Sequence, residues 1–263
     1  MMSEAATAST AALQHVEKQA GKPAVKNVAL PRPIATVVEK QFLKQLVSTP
    51  RGRATILAQV VRSEGTDGEH GIFEHILAVL DDEEVTKLVR VHQADEARHE
   101  QMFLARMQAQ GAAPLVTPPS TDLLSRIDRH TGFHTRPVTD RHGVVQSYLM
   151  LQVIEERALR QFKRMKQAFS DVGDLDTVAC FTEVERDEER HLKYCIAITK
   201  KFSLSETARL AGLQMMRTLE EAAFQETQRL NFHLFVEDGL VDGAFWRFLL
   251  GRVEQRFGVP TFA

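Results

Sequence analysis

Two copies of a Glu-x-x-His motif are the residues of this chain best suited to chemistry. The first is Asp95-Glu96-Ala97-Arg98-His99, and the second is Asp187-Glu188-Glu189-Arg190-His191. On a helix, a Glu at position i and a His at i+3 lie on one face, so each copy presents a carboxylate and an imidazole together. Two such helices, completed by one Glu from each of two further helices, bind two iron or manganese ions bridged by carboxylates.

The two copies are more informative together than apart. One Glu-x-x-His is a weak signal, because both residue types are common in a chain of this length. Here the copies share their flanking Asp and Arg, and both lie in stretches with helical patterning. The alternative is a pair of solvated helix faces in which Arg and Glu side chains pair with each other. We favour the metal interpretation.

Composition narrows the class of protein. The 263 residues are 43% hydrophobic, which is enough for a substantial core, and the net charge of −2 gives no reason to expect nucleic acid as a partner. The two cysteines, Cys180 and Cys195, form no Cys-x-x-Cys pair, which excludes a rubredoxin-type iron site and a zinc ribbon. A disulfide framework is also disfavoured, and we expect a cytoplasmic protein.

The chain divides into three predicted parts. Residues 1–33 are rich in Ala, Ser and Lys, lack the features of a signal peptide, and are expected to be a mobile lead segment. Residues 34–203 are expected to form the metal-binding bundle, and residues 204–263 a helical extension packed on it. No apolar run approaches the ~20 residues of a membrane span, so no transmembrane segment is expected.

The predicted fold class is all-α, since strand-like alternation is nearly absent. A long crossover over residues 111–142, between two helical hairpins, is the connectivity of a ferritin-like four-helix bundle. Additional helices follow at the C-terminus, where Ser205 and Asp242 are candidate helix caps. The predicted helices are Ile34–Val47, Arg53–Leu80, Glu83–Gln110, Gly143–Phe169, Asp176–Lys201, a segment from Ser205 to about Asn231, and Gly243–Phe257.

The second hairpin offers two candidates for its terminal carboxylate. Glu155 shares a helix face with apolar residues such as Leu151 and Phe162, whereas Glu156 shares its face with Arg160 and looks solvated. Glu155 is therefore the predicted ligand. It lies 33 residues before Glu188, with the expected turn about midway.

The first hairpin is ambiguous, because Glu64, Glu69 and Glu74 compete. Glu69 aligns with the apolar face that follows it, while Glu64 points about 140° away from it on an ideal helix. Glu74 lies close to the turn. Glu69 is favoured, although Gly65 and Gly68 can distort the helix and change this assignment.

Two further residues are alternatives for the site. His92 lies four residues before Glu96 on the same face, and it is either a third imidazole ligand, a hydrogen-bonding support, or a packed helical His. Glu185, one turn before Glu188, is a candidate extra ligand or proton carrier.

Over about residues 55–200 the sequence resembles the ferritin-like di-iron carboxylate proteins. The order of four motifs is similar to that in the demethoxyubiquinone hydroxylases: Asp67-Gly68-Glu69-His70-Gly71, Asp95-Glu96-Ala97-Arg98-His99, Val153-Ile154-Glu155-Glu156 and Arg186-Asp187-Glu188-Glu189-Arg190-His191. Ile154-Glu155-Glu156-Arg157 with Arg160-Gln161-Phe162 is similar to the di-iron tRNA hydroxylases, and rubrerythrins share the ligand scheme. The resemblance is to the superfamily rather than to one member.

The resemblance implies a ligand set and a chemistry. It places one iron at Glu69, Glu96 and His99, and the other at Glu155, Glu188 and His191. The implied cofactors are two Fe ions, with Mn or a mixed Fe/Mn pair as the alternative, and O2 is the co-substrate. A small-molecule substrate and an external electron donor are the implied partners, and a homodimer is an open alternative.

Three classes of function remain at this point. The leading one is an O2-activating di-iron monooxygenase acting on a small organic substrate. The second is iron handling, as a ferroxidase or a rubrerythrin-like protein that consumes peroxide, which uses the same six ligands without an organic substrate pocket. The third is a metal-free helical interaction protein, in which the acids and His residues form surface pairs.

Overall fold

The computed structural model describes residues 28–29, 32–65, 70–246, 248 and 260–261. These residues are all-α apart from a two-residue parallel pairing of β1 (Val28–Ala29) with β2 (Pro260–Thr261). The all-α fold class is therefore confirmed for this part of the chain. The helices are α1 (Arg32–Leu46), α2 (Pro50–Glu64), α3 (His70–Leu77), α4 (Glu83–Ala109), α5 (Leu123–Thr131), α6 (Arg141–Asp171), α7 (Leu175–Phe202) and α8 (Glu206–Glu237).

The helix expected over Arg53–Leu80 is wrong, because the structure has two helices there, α2 and α3. Helix α2 also begins earlier than expected, at Pro50, since a proline in the first helical position needs no hydrogen-bond acceptor for its nitrogen. Thr49 caps this end, with its Oγ1 accepting a hydrogen bond from the Gly52 nitrogen at 3.0 Å. A Cβ on Gly52 would lie 1.7 Å from the Leu46 carbonyl oxygen, so glycine allows α1 and α2 to approach closely.

The crossover predicted over residues 111–142, between α4 and α6, contains regular structure and is not a plain loop. It contains a 3-10 turn, Pro119–Thr121, followed by α5. Asp122 caps α5 by accepting a hydrogen bond from the Ser125 nitrogen at 2.7 Å, and the helix ends at Gly132, whose φ is +68°. The helix has only nine residues, which is too short for its periodicity to stand out in the sequence.

Four helices, α2, α4, α6 and α7, pack together as the bundle that carries the candidate site. Helices α6 and α7 form the most extensive contact and are joined by a tight turn at Gly173, whose φ of +78° suits glycine. Asp174 then caps α7 by accepting a hydrogen bond from the Thr177 nitrogen at 3.1 Å. Helix α2 packs on α4, and α4 packs on α7.

Helix α8 packs along α6 outside this bundle. Ser205 caps it, with Oγ accepting a hydrogen bond from the Ala208 nitrogen at 3.1 Å, as its sequence position predicts. Arg157 of α6 donates hydrogen bonds of 2.7 Å to both carboxylate oxygens of Glu220 on α8, which ties the two helices together.

Two predicted segments fall largely outside the described residues. Residues 243–246 are helical after Asp242, whose Oδ1 accepts hydrogen bonds from two backbone nitrogens, but most of the helix expected to reach Phe257 lies outside the described residues. The expected mobile segment, residues 1–33, also lies almost wholly outside them. None of the described helices combines the length and the apolarity needed to cross a bilayer.

The core consists of two apolar clusters, one at each end of the bundle. One includes Phe103, Phe162 and Phe181, and the other includes Val89 and Tyr148. Along α4, α6 and α7 the polar site residues lie between these clusters in the sequence. The fold therefore encloses a layer of polar side chains between two apolar clusters. Burying such side chains costs free energy unless they have partners.

Candidate metal centre

Seven buried acidic and imidazole side chains converge between the helices of the bundle. Each is at most 4% exposed. Helix α4 contributes three of them at positions i, i+4 and i+7, a spacing that keeps them on one helix face. The seven are Glu64 on α2; His92, Glu96 and His99 on α4; Glu155 on α6; and Glu188 and His191 on α7.

Four of these residues form the first cluster: Glu64, Glu96, His99 and Glu188. One ligand atom from each lies within 4.8 Å of the others. Nδ1 of His99 lies 3.4 Å from Oε2 of Glu64, 3.5 Å from Oε2 of Glu96 and 3.3 Å from Oε1 of Glu188. Three carboxylates thus converge on one imidazole nitrogen.

The second cluster consists of His92, Glu96, Glu155 and His191 under the same distance limit. Nδ1 of His191 lies 3.0 Å from Oε1 of Glu96 and 3.7 Å from Oε1 of Glu155. Nε2 of His92 lies 2.9 Å from Oε1 of Glu155 and 3.2 Å from Oε1 of Glu96. This cluster therefore has two imidazoles where the first has one.

Two carboxylates reach both clusters. Glu96 places Oε2 beside Nδ1 of His99 and Oε1 beside Nδ1 of His191. Glu188 does the same, with Oε1 at 3.3 Å from His99 and Oε2 at 3.1 Å from His191. One oxygen on each side is the geometry of a carboxylate that bridges two metal ions.

The Asp residues that precede the two motif glutamates support the histidines crosswise. Asp187 of α7 places Oδ2 3.3 Å from Nε2 of His99, and Asp95 of α4 places Oδ2 3.2 Å from Nε2 of His191. The motif arginines pair both across and within the helices: Arg98 pairs with Asp187 and Arg190 with Asp95 at 2.7 Å, while Arg190 also lies 2.7 Å from Asp187 on its own helix. The flanking Asp and Arg shared by both motifs were the sequence signal for this arrangement, although no role was predicted for them.

Comparisons with family models, with curated proteins and with solved structures gave no match. The chemistry of the site is therefore judged on its own residues.

The structure brings together five of the six predicted ligands: Glu96, His99, Glu155, Glu188 and His191. The sixth, Glu69, lies outside the described residues. Glu64, the alternative for that position, lies in the first cluster, and His92, the other alternative on α4, lies in the second.

Three further candidates lie away from the clusters and pair elsewhere. Glu74 accepts a hydrogen bond from Gln93 at 2.6 Å, and Glu156 pairs with Arg217 at 2.8 Å. Glu185 pairs with Lys166. Each has a partner that accounts for its position without a metal ion.

The donor set fits a pair of divalent cations. Nδ1 of His99 and Oε1 of Glu96 are buried and make no hydrogen bond. Oε1 of Glu96 lies 3.0 Å from Nδ1 of His191, but the angle between the two groups does not allow one. Buried polar atoms left without hydrogen bonds are costly, and an ion placed among them supplies the missing interaction. Four carboxylates also match the charge of two divalent ions, and carboxylates with imidazoles suit iron and manganese.

The carboxylates titrate unequally in the absence of metal. Burial raises the pKa of Glu64 well above its usual value, and the charges of Glu96 and Glu188 add to this effect. Burial also opposes the ionisation of Glu96, but the three surrounding imidazoles outweigh it and hold its pKa well below the usual value. Burial and the charge of Glu96 raise the pKa of Glu188, but its contacts with Glu155, His191 and His99 outweigh them and lower it to about 2.

The imidazoles of the two motifs respond to these carboxylates. Burial disfavours the charged form of His191, but its contacts with Glu188 and Glu96 outweigh burial and raise the pKa to about 10. The pKa of His99 is raised in the same way by Glu188, Glu64 and Glu96. His92 differs, because burial dominates and lowers its pKa. When no metal is bound, the charged rings of His99 and His191 therefore balance part of the carboxylate charge.

Proposed function

We propose that this chain is an O2-activating di-iron oxygenase of ferritin-like connectivity that hydroxylates a small organic substrate, with electrons from an external donor. The observation that carries the proposal is the pair of buried Glu/His clusters, in which Glu96 belongs to both. Two adjacent metal positions joined by shared carboxylates are the arrangement expected of a carboxylate-bridged di-metal bundle.

The geometry suggests which residues hold each ion. Glu64 and His99 would bind one ion, while Glu155, His191 and His92 would bind the other. Glu96 and Glu188 would bridge them. The bound irons would supply redox electrons and open coordination positions for O2. Manganese fits the same ligands, so metal identity is part of the proposal.

The chain's own residues orient and shield this site. Asp187 and Asp95 accept hydrogen bonds at Nε2 of His99 and His191, which directs the opposite nitrogen of each ring, Nδ1, toward the carboxylates. The apolar cluster containing Phe103 and Phe181 closes one end of the polar layer. Exclusion of bulk water strengthens the electrostatic interactions within the site and limits side reactions.

A cavity beside the first cluster favours an organic substrate over iron alone. It has a volume of about 180 Å³, and Glu64 forms part of its wall. About half of its lining residues are apolar, including Phe42, Val60, Phe162 and Phe224, and they supply most of the exposed wall, while the others are polar or charged. A chamber with an apolar wall and a few polar groups, next to a metal ligand, suits a carbon skeleton.

Isotope labelling tests the reaction. Iron-loaded protein with a chemical reductant is incubated under 18O2 with a panel of alkyl and aromatic compounds, and products are analysed by mass spectrometry. We expect one 18O atom in an organic product, and loss of that product in Glu96→Gln. Multiple-turnover oxidation of added Fe(II), with no 18O in any organic compound, would instead assign the chain to iron handling.

A further inference from the structure

A second depression adjoins the cavity between α1 and α6. Its volume is about 440 Å³. Five of its lining residues are cationic and only two are acidic, Glu39 and Asp171. The cations are Lys40, Lys44, Arg160, Lys163 and Arg164. We refer to this depression, lined by residues of 39–44 and 160–171, as the basic groove.

Most of the positive charge in the basic groove is not neutralised by the protein. Lys40, Lys44, Arg160 and Lys163 are exposed, and none of the four takes part in an ion pair with any residue that the structure describes. Arg160 stays charged, although burial and the neighbouring Arg157 lower its pKa, while the charges of Glu220, Glu156 and Glu221 act in the opposite direction. Clustered cations of this kind attract anions and concentrate them locally.

The basic groove and the apolar cavity share a wall. Glu39, Leu43 and Arg164 line both. Glu39 and Arg164 form an ion pair at this junction, and burial raises the pKa of Glu39 despite that partner. Glu39 and Arg164 therefore lie where the groove meets the cavity. An anionic ligand in the groove can compete with Glu39 for Arg164.

We propose that the groove and the cavity together bind an anionic amphiphile, with the anionic head on the groove cations and the apolar body extending to Glu64. The inference rests on the proposed function, because it names the substrate class of that same site. A small molecule fits better than an acidic protein because the basic groove adjoins the cavity, and a protein-binding surface would need no cavity behind it.

The size of the chamber limits the apolar body. A protein cavity of about 150 Å³ lined by Leu, Ile and Phe holds benzene. At about 180 Å³ the cavity here accommodates a body somewhat larger than one ring, or a folded chain of roughly eight carbons. The substrate class is thus a medium-chain or arylalkyl compound that carries a carboxylate or a phosphate.

Binding is measurable without turnover. The sequence has one Trp, and Trp246 contacts Phe42 edge-on at 5.1 Å between ring centroids, while Phe42 lines the cavity. Trp fluorescence and titration calorimetry on the full-length protein, with and without metal, would report binding of octanoate, octyl phosphate and octanol. We expect both anions to bind at least about tenfold more tightly than octanol, with an affinity that falls as salt is added.

Two substitutions separate the head site from the chamber. Lys163→Gln is expected to weaken octanoate binding by about two- to fivefold, whereas Lys193→Gln, an exposed Lys on α7 away from the groove, leaves it unchanged. Ala158→Leu fills part of the cavity wall and should weaken octanoate and octanol alike. Circular dichroism of each variant verifies folding, and comparison of the two anions identifies the preferred head group.

The outcomes distinguish this inference from the proposed function. Equal affinity for octanol and octanoate, or equal effects of Lys163→Gln and Lys193→Gln, would overturn the anionic substrate class. Absence of probe binding in protein that holds two metal ions would overturn the inference and leave the metal centre intact. Anion binding in protein that never acquires metal would support the binding site and overturn the oxygenase.

Discussion

Asp187 places its Oδ2 atom 3.3 Å from Nε2 of His99, on the side of the imidazole opposite the carboxylate cluster. The two residues belong to different copies of the same motif, one on α7 and one on α4. Because an acceptor at Nε2 fixes the ring orientation, this contact directs Nδ1 of His99 toward the three carboxylates of the first cluster.

Removing the charge of Asp187 should weaken metal binding without removing a ligand. We expect Asp187→Asn to lower metal affinity by about 10- to 100-fold, the usual effect of losing a partner of a ligating His. Equilibrium dialysis against Fe(II) or Mn(II) measures this. Glu189→Gln, which removes the same negative charge at an exposed position two residues away, is the control and should bind as the unsubstituted protein does. Equal affinities for the two variants would refute the orienting role.

The first carboxylate ligand can be decided by comparing Glu64 with Glu69. Glu64 is 4% exposed and lies 3.4 Å from Nδ1 of His99. We expect Glu64→Ala to lose about one of two metal ions and Glu69→Ala to keep both. Elemental analysis of the purified variants gives the answer. Loss of metal in Glu69→Ala alone would return the assignment to the prediction made from the sequence.

Metal loading at pH 7 should release protons. Without metal, the pKa of His191 is raised to about 10 and that of His99 is also raised, so both rings carry a proton that a metal ion must displace. Glu64, whose pKa is raised as well, is a third source. We expect about two to three protons released per chain. Calorimetric titrations in two buffers of different ionisation enthalpy measure the number, and identical heats in both would contradict this state of the site.

The free energy of unfolding of the metal-free protein should depend on pH in a defined direction. The folded pKa of His191, about 10, exceeds its ordinary value of 6.5, so its stabilising contribution is complete below pH 6.5 and is lost as the pH rises toward 10. We therefore expect stability to fall between pH 6.5 and 10, and the fall to be smaller in His191→Gln. Urea unfolding with a chelator present measures this. Constant or rising stability across that interval would show that His191 is not paired with the carboxylates.

The sequence predicted the helical bundle because strand-like alternation is nearly absent and the Glu-x-x-His motif recurs in two helical stretches. The choice between Glu64 and Glu69 could not be made in the same way. It assumed one continuous helix from Glu64 to Glu69, whereas α2 ends at Glu64 and α3 starts at His70, so an angle taken from an ideal helix could not decide between them. His92 was placed correctly on the face of Glu96, but its cluster depends on α6 and α7.

The crosswise contacts were beyond the reach of spacing rules. Asp95 lies on the same helix as His99 but contacts His191, and Asp187 contacts His99. A pattern within one helix cannot show which neighbouring helix a side chain meets, because that depends on how α4 and α7 pack. The basic groove is a similar case, since its cations come from α1 and α6, more than a hundred residues apart in sequence.

The central claim is that the two buried clusters hold a pair of metal ions that react with O2. The most direct test is elemental analysis of the full-length protein after anaerobic loading with Fe(II), followed by optical absorption on exposure to O2. About two irons per chain, with an absorption change that Glu96→Gln abolishes, is the predicted result. Protein that retains no iron after loading, and whose spectrum does not change with O2, would contradict the account.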